Sequence, residues 1–147
     1  MLQTGKLWMD RLSQELQGFN QRPFTLDDLH EYCHWHGIFA DEVRLRRLHG
    51  CCFYQGEMPC LIVNELLSAP EKIVAGYHEL AHLILHDIGQ EVFCSTGNLW
   101  NHAKVERQAQ IVGLCALLPR PMLDHDLSEY PRQIVAARRR VWWETGL

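Results

Sequence analysis

The chain has 147 residues, of which 47% are hydrophobic and 22% charged, with a formal net charge of -4 and an isoelectric point near 6.1. This length suits a single domain over 1–147 that buries about two thirds of its unfolded surface, which excludes a need for disulfide staples and extended disorder. The acidic balance argues against direct nucleic-acid binding, which calls for a basic surface; no segment approaches about 18 unbroken apolar residues, so no membrane span is expected, and the start lacks an apolar core of signal-peptide length.

Residues 6–18 place Leu7, Trp8, Leu12 and Leu16 at helical spacing, and Gly18 and Pro23 end the pattern. Thr25 ahead of Leu26-Asp27-Asp28 reads as an N-cap with acids in the first turn, where the helix dipole favours them. That helix runs to about His36 and stops at Gly37. His30, Cys33, His34 and His36 lie close together on it; of a second metal site and a polar face around a buried thiol, the latter is the reading adopted. A short helix is expected over Asp41–Arg47. Cys51–Tyr54 and Pro59–Asn64 read as two strands joined by a turn at Gln55-Gly56-Glu57, a small antiparallel hairpin. Pro70 suits the first turn of a helix, and Glu71–His86 is strongly periodic, with Gly89 past its end. Residues 90–100 read as loop with a short strand at Val92-Phe93-Cys94. Helices follow at about Trp100–Leu118, closed by Pro119, and at Pro131–Trp143. On the last helix the Arg138-Arg139-Arg140 run reads as a solvated face with one or two ion pairs, and Trp142-Trp143 as a packing contact with the core. The six cysteines include no C-x-x-C pair and read as reduced, mostly buried thiols of a cytoplasmic protein, not as a zinc knuckle.

The chemistry concentrates in His78-Glu79-Leu80-Ala81-His82, an H-E-x-x-H motif in the middle of the most periodic helix. Residues four apart share one helical face, so both imidazoles reach one ion at about 2.0–2.1 Å, the usual zinc–nitrogen distance. Glu79 points toward the same place without binding the ion. There it serves as general base for a metal-activated water attacking a carbonyl. A catalytic zinc needs a third protein ligand and one open position. His86, Asp87, Glu91, His102 and Glu106 are the downstream candidates. His86 extends the same face by a further turn, too far for three histidines to share one ion easily. Glu106 lies on the next expected helix, which an intervening loop can fold back opposite His78 and His82. It is the favoured ligand, and His102, one turn earlier, is the runner-up.

Three segments taken together resemble the ImmA/IrrE family of metallopeptidases. They are Leu61-Ile62-Val63-Asn64, then His78-Glu79-Leu80-Ala81-His82-Leu83-Ile84-Leu85-His86, then the stretch from Glu106-Arg107-Gln108-Ala109-Gln110 to Leu117-Leu118-Pro119, covering about residues 25–119, with 120–147 as a C-terminal helical extension. The resemblance implies one zinc per chain on His78, His82 and Glu106, with Glu79 as base. Four positions depart from the family pattern: Gln108 stands for glutamate, Gln110 for Asn or Asp, and Val112-Gly113 for Phe-Ala. Gln110, one turn beyond Glu106, is placed to hydrogen-bond a liganding histidine from behind. The implied activity is cleavage of a separate helix-turn-helix transcriptional repressor, since the chain has no room for a DNA-binding or sensory domain of its own.

The expected fold is α+β: a small antiparallel sheet packed on a helical core with a zincin-type H-E-x-x-H helix, the cleft lying between that helix and the sheet edge, where a peptide adds as an extended strand. A monomer is favoured. Three functional classes compete: an active endopeptidase, a zinc-containing regulatory protein that sequesters its partner without cleavage, and a metal-free interaction domain. Retention of Glu79 favours the first over the second, because sequestration needs no base.

Overall fold

The helix ends follow from local chemistry. In the computed structural model, which describes residues 2–101 and 103–147 (side chains from residue 7), Thr25 caps helix α2 (Leu26–Trp35) and Ser68 caps helix α3 (Ala69–Leu85). Each forms a reciprocal capping box, with Asp28 and Glu71 respectively, that satisfies backbone N–H groups otherwise left without partners. Pro70 sits inside the first turn of α3, where its missing N–H costs nothing. Helix α1 covers Leu2–Glu15, α4 Lys104–Leu117 and α5 Arg132–Thr145, with a single 3-10 turn at Arg120–Met122.

Four strands complete an α+β fold: β1 (Phe39–Val43), β2 (Gly50–Gln55), β3 (Met58–Asn64) and β4 (Phe93–Ser95), in the order β1-β3-β2-β4. The β2–β3 hairpin turns at Gly56, whose φ of 64° is open to glycine. The sheet is mixed, not purely antiparallel, because β1 runs parallel to β3 from Phe39↔Cys60 to Val43↔Asn64. This corrects the helix expected over Asp41–Arg47. Asp41 and Glu42 resemble acids of a helical first turn, but the segment is too short to hold a helix by itself and is captured by the backbone of β3, with side chains alternating between exposed and half-buried. The chain then wraps around Asn64, a buried amide that donates to the Leu45 and Leu48 carbonyls and accepts from the Leu45 and Leu66 N–H groups.

The core lies between the sheet and the helices, with Leu12, Leu29, Leu61, Leu80, Val112, Leu114, Leu118 and Val141 all at most 1% exposed. Helices α3 and α4 are antiparallel and form its centre. Gly113 of α4 rests on the Val74 carbonyl of α3, where a Cβ would overlap it, while His82 faces Glu106 at the other end. Gly76 makes a similar allowance for Leu29 of α2.

Two expectations for α5 are corrected. Arg138 is fully buried, donating to the Leu118 and Leu147 carbonyls and to Asn20 Oδ1, and so ties three parts of the chain together. Its neighbour Arg140 does pair on the surface, with Glu144. Trp142 and Trp143 are 39% and 86% exposed and do not pack into the core, because the buried stripe of α5 runs through Ile134, Ala137, Arg138 and Val141. The thiols are all free, four of them buried. No helix among the described residues is long and apolar enough to cross a membrane.

The Gly113 contact generates a prediction. Gly113→Ala inserts a methyl group against backbone that has no rotamer by which to move aside, and overpacking of this kind costs about 1–3 kcal/mol. Urea denaturation is expected to show that loss despite the better helix propensity of alanine; an unchanged or raised midpoint would mean that α3 and α4 separate without cost.

Candidate metal centre

Helix α3 carries His78 and His82 on the face that meets α4, and the first turn of α4 brings Glu106 against both. Glu106 Oε2 lies 2.9 Å from His78 Nε2, and Oε1 lies 2.9 Å from His82 Nε2. One ligand atom from each residue falls within 4.8 Å of the others, and among the described residues this is the one such group of metal-ligating side chains. His102 lies outside the described residues.

The donor chemistry suits a divalent cation. His82 Nε2 is buried and, although close to Glu106, has no hydrogen bond of ordinary geometry. A buried ring nitrogen without a hydrogen-bond partner is costly unless something else occupies its lone pair, and a metal does so. Two histidines and a glutamate form a ligand set of the kind that leaves a fourth position open on zinc.

Glu79 is wholly buried beside this group, with both carboxylate oxygens lacking a hydrogen-bond partner. The sheet makes room for it: a Cβ on Gly50 of β2 would stand 3.1 Å from Glu79 Cγ. Burial pushes its carboxyl up to about 7, against the pull of His82 and of Cys52 and Ser95, which border it. For Glu106, burial also raises the pKa, but the hydrogen bond with His78 and the close approach of the His82 ring outweigh it and bring the group down to about 2. The two carboxylates are therefore shifted in opposite directions, Glu106 downward and Glu79 up toward neutrality.

The surroundings of the histidines depart from the sequence expectation. Gln110 does not reach a liganding histidine. Its Oε1 accepts from the Asn101 N–H and its Nε2 donates to the Asn98 carbonyl, at 2.9 and 2.7 Å, because the chain entering α4 loops back over this side chain. Instead, the ring of His86 folds behind His82 (Nδ1 to Nδ1, 3.1 Å), and its Nε2 meets Gln108 Oε1 at 2.9 Å. His86 is therefore no part of the ligand group, and Asp87 Oδ1 accepts from the Gly89 N–H. Phe93 of β4 stacks on His82, with centroids 4.8 Å apart. Gly50, Cys52, Ser95 and Phe93 were not singled out from sequence; a glycine opening an otherwise β-prone run was the one available signal, since glycine within a strand often marks close approach of another group.

The centre is covered on the His78 side, with the Glu106 side chain still 21% exposed. Gly97, Asn98 and Leu99 lie beside His78, and their segment is held by Gln110 and by Trp100, whose ring centroid is 4.4 Å from the Arg107 guanidinium and 3.7 Å from that of Arg140. The void beside His78, lined also by His49, Leu99 and Gln110, measures only about 20 Å³.

The model of the IrrE N-terminal-like domain family, Peptidase_M78, matches residues 22–142. The chain belongs to this family, whose membership supports a metallopeptidase-type function. No curated protein matches the chain.

Burial of Glu79 has a consequence for the metal-free protein. Its carboxyl moves from 4.5 to about 7 on folding, so between those pH values the folded state keeps a proton that the unfolded chain releases. Its contribution to stability therefore falls as pH rises through that window and stays low above it, by up to ~3 kcal/mol. In the presence of a chelator, Glu79→Gln is expected to gain stability over wild type between pH 5 and pH 8, measured by urea denaturation. A difference that stays constant across that range would mean that the folded protein leaves the carboxylate hydrated.

Proposed function

We propose that this chain is a zinc-dependent endopeptidase that holds one zinc ion on His78, His82 and Glu106 and uses Glu79 as its general base. The observation that carries the reading is a three-ligand group set beside a buried carboxylate whose pKa lies near neutrality. A purely structural metal site has no use for that carboxylate, and desolvating it is costly. When bound, zinc supplies Lewis acidity to a scissile carbonyl and lowers the pKa of a water molecule. The protein's own residues do the rest. Glu106, held as an anion, and the two imidazoles leave one position open. Glu79 takes a proton from the attacking water and returns it to the leaving amine. The short edge strand β4, beside His82, offers backbone groups to an extended peptide. The proposed substrate is a helix-turn-helix transcriptional repressor or a similar regulatory protein, on the strength of family membership, and the proposed location is the cytoplasm.

The full burial of Glu79 favours a second reading, in which the chain retains zinc but sequesters its partner without cleaving it. Glu79 is 0% exposed, so hydrolysis requires the chain around it to open. Sequestration has no such requirement.

Elemental analysis and cleavage assays separate these readings. Wild type is expected to carry close to one zinc per chain, with much less in His82→Ala and Glu106→Ala. Glu79→Gln is expected to keep its zinc while losing at least about a hundredfold in cleavage of a bound repressor, since a positioned general base contributes about 10²–10⁴ in rate. Zinc retained in full by Glu106→Ala would move the third ligand elsewhere. Partner binding without cleavage in wild type, unchanged in Glu79→Gln, would establish sequestration. A wild type that takes up no zinc would remove both readings and leave an interaction domain.

A further inference from the structure

His82 binds a metal through Nε2 only as the tautomer that carries its proton on Nδ1. That N–H needs an acceptor, and the structure offers His86 Nδ1 at 3.1 Å. His86 accepts there only if its own proton sits on Nε2, which lies 2.9 Å from Gln108 Oε1. The chain of bonds then runs from the metal outward: His82 to His86 to Gln108.

The same three residues can also run the other way. Turned over, the Gln108 amide donates to His86 Nε2, His86 donates from Nδ1 to His82, and His82 carries its proton on Nε2. In that direction the proton of His82 points toward Glu106, 2.9 Å away but outside hydrogen-bond geometry, and no lone pair remains for a metal. A neutral amide supports both directions because it owns a donor and an acceptor; an ionised carboxylate would accept only.

The placement of these residues serves this geometry. His86 lies one turn past His82 but leaves the helix, with extended backbone (φ -121°, ψ 143°), its N–H still bonded to the His82 carbonyl. Its ring thereby falls behind His82, not in line with the ligands. Gln108, two residues after Glu106, points to a different side of α4 and meets His86 where α3 ends.

We infer that His86 and Gln108 are positioning residues that set the metal-binding tautomer of His82, and that the amide at position 108 makes this setting reversible and the metal affinity lower than a carboxylate there would give. This rests on the reading of His78, His82 and Glu106 as ligands. Residues that orient a liganding histidine from behind change metal affinity by about 10–100-fold when replaced.

The test is zinc affinity, measured on the metal-free protein by competition with a chromophoric chelator. Gln108→Glu is expected to bind zinc at least about tenfold more tightly than wild type, and Gln108→Met at least about tenfold more weakly. Because the first change is a gain, misfolding cannot mimic it. A new charge acting only at long range would tighten binding with or without His86, so the gain must vanish when His86→Phe is added to Gln108→Glu. Two-bond ¹H–¹⁵N spectra of the zinc-loaded wild type are expected to show His86 protonated on Nε2. Equal affinities in wild type, Gln108→Glu and Gln108→Met, alongside loss of zinc in His82→Ala, would overturn the inference while leaving the ligand set intact. A gain that survives His86→Phe, or a His86 proton on Nδ1, would do the same. Zinc retained in His82→Ala would overturn the ligand set and this inference with it.

Discussion

The close approach of α3 and α4 is the constraint on which the rest of the molecule depends. Gly113 has no side chain, so the backbone of α4 rests directly on the Val74 carbonyl. Two antiparallel helices brought this near at one end hold a fixed register along their length, and the opposite end of that register sets Glu106 against His78 and His82. An extra methyl group at Gly113 would act like a wedge at one end of a lever whose other end is the ligand group. The small residue thus helps to set the candidate metal group from a distance.

The same contact produces an electrostatic problem. His78, Glu79 and His82 lie in the core, each at most 5% exposed, among Leu80, Ala81 and Val112. Buried polar groups are tolerated when they are paired, and here the pairing is incomplete: both oxygens of Glu79 and Nε2 of His82 lack partners. A divalent cation would answer both shortages by taking the imidazole lone pair and by offsetting two carboxylates at short range. The cluster is therefore compatible with a bound metal ion. The loop at 96–101 is fastened beside this group by Gln110 and by the contacts of Trp100 with two arginines, while Glu106 stays partly exposed.

Where the sequence misled, the reason was a contact between residues apart along the chain or, for one pair, the phase of a helix. Asp41 and Glu42 carry a local preference for a helix start, overridden by pairing with β3. Arg138 belongs to a run of charge that reads as surface, yet two carbonyls and an amide oxygen gathered from Asn20, Leu118 and Leu147 accept from its Nε and Nη2 inside, leaving Nη1 without a partner. Trp142 and Trp143 are large and apolar, but the helical phase of α5 turns them outward. Gln110 has the spacing to support a liganding histidine and is taken instead by the backbone at Asn98 and Asn101. The contact behind His82 comes instead from His86, which Gln108 meets at a spacing that helical periodicity alone assigns to another face.

The sequence by itself determined the local structure: the capped starts of α2 and α3, the hairpin turn at Gly56, and the one-turn separation that puts His78 and His82 on a common face. These depend on neighbours within four residues, so the order of side chains is enough to specify them. It also narrowed the third ligand to a short set of downstream acids and histidines. Only the tertiary structure decided that Glu106 meets both imidazoles, that Gly50 of a separate strand opens a space for Glu79, and that His86 stands behind the centre and not within it. Those outcomes depend on how closely helices and sheet approach one another, and that distance is set by the packing of the whole core.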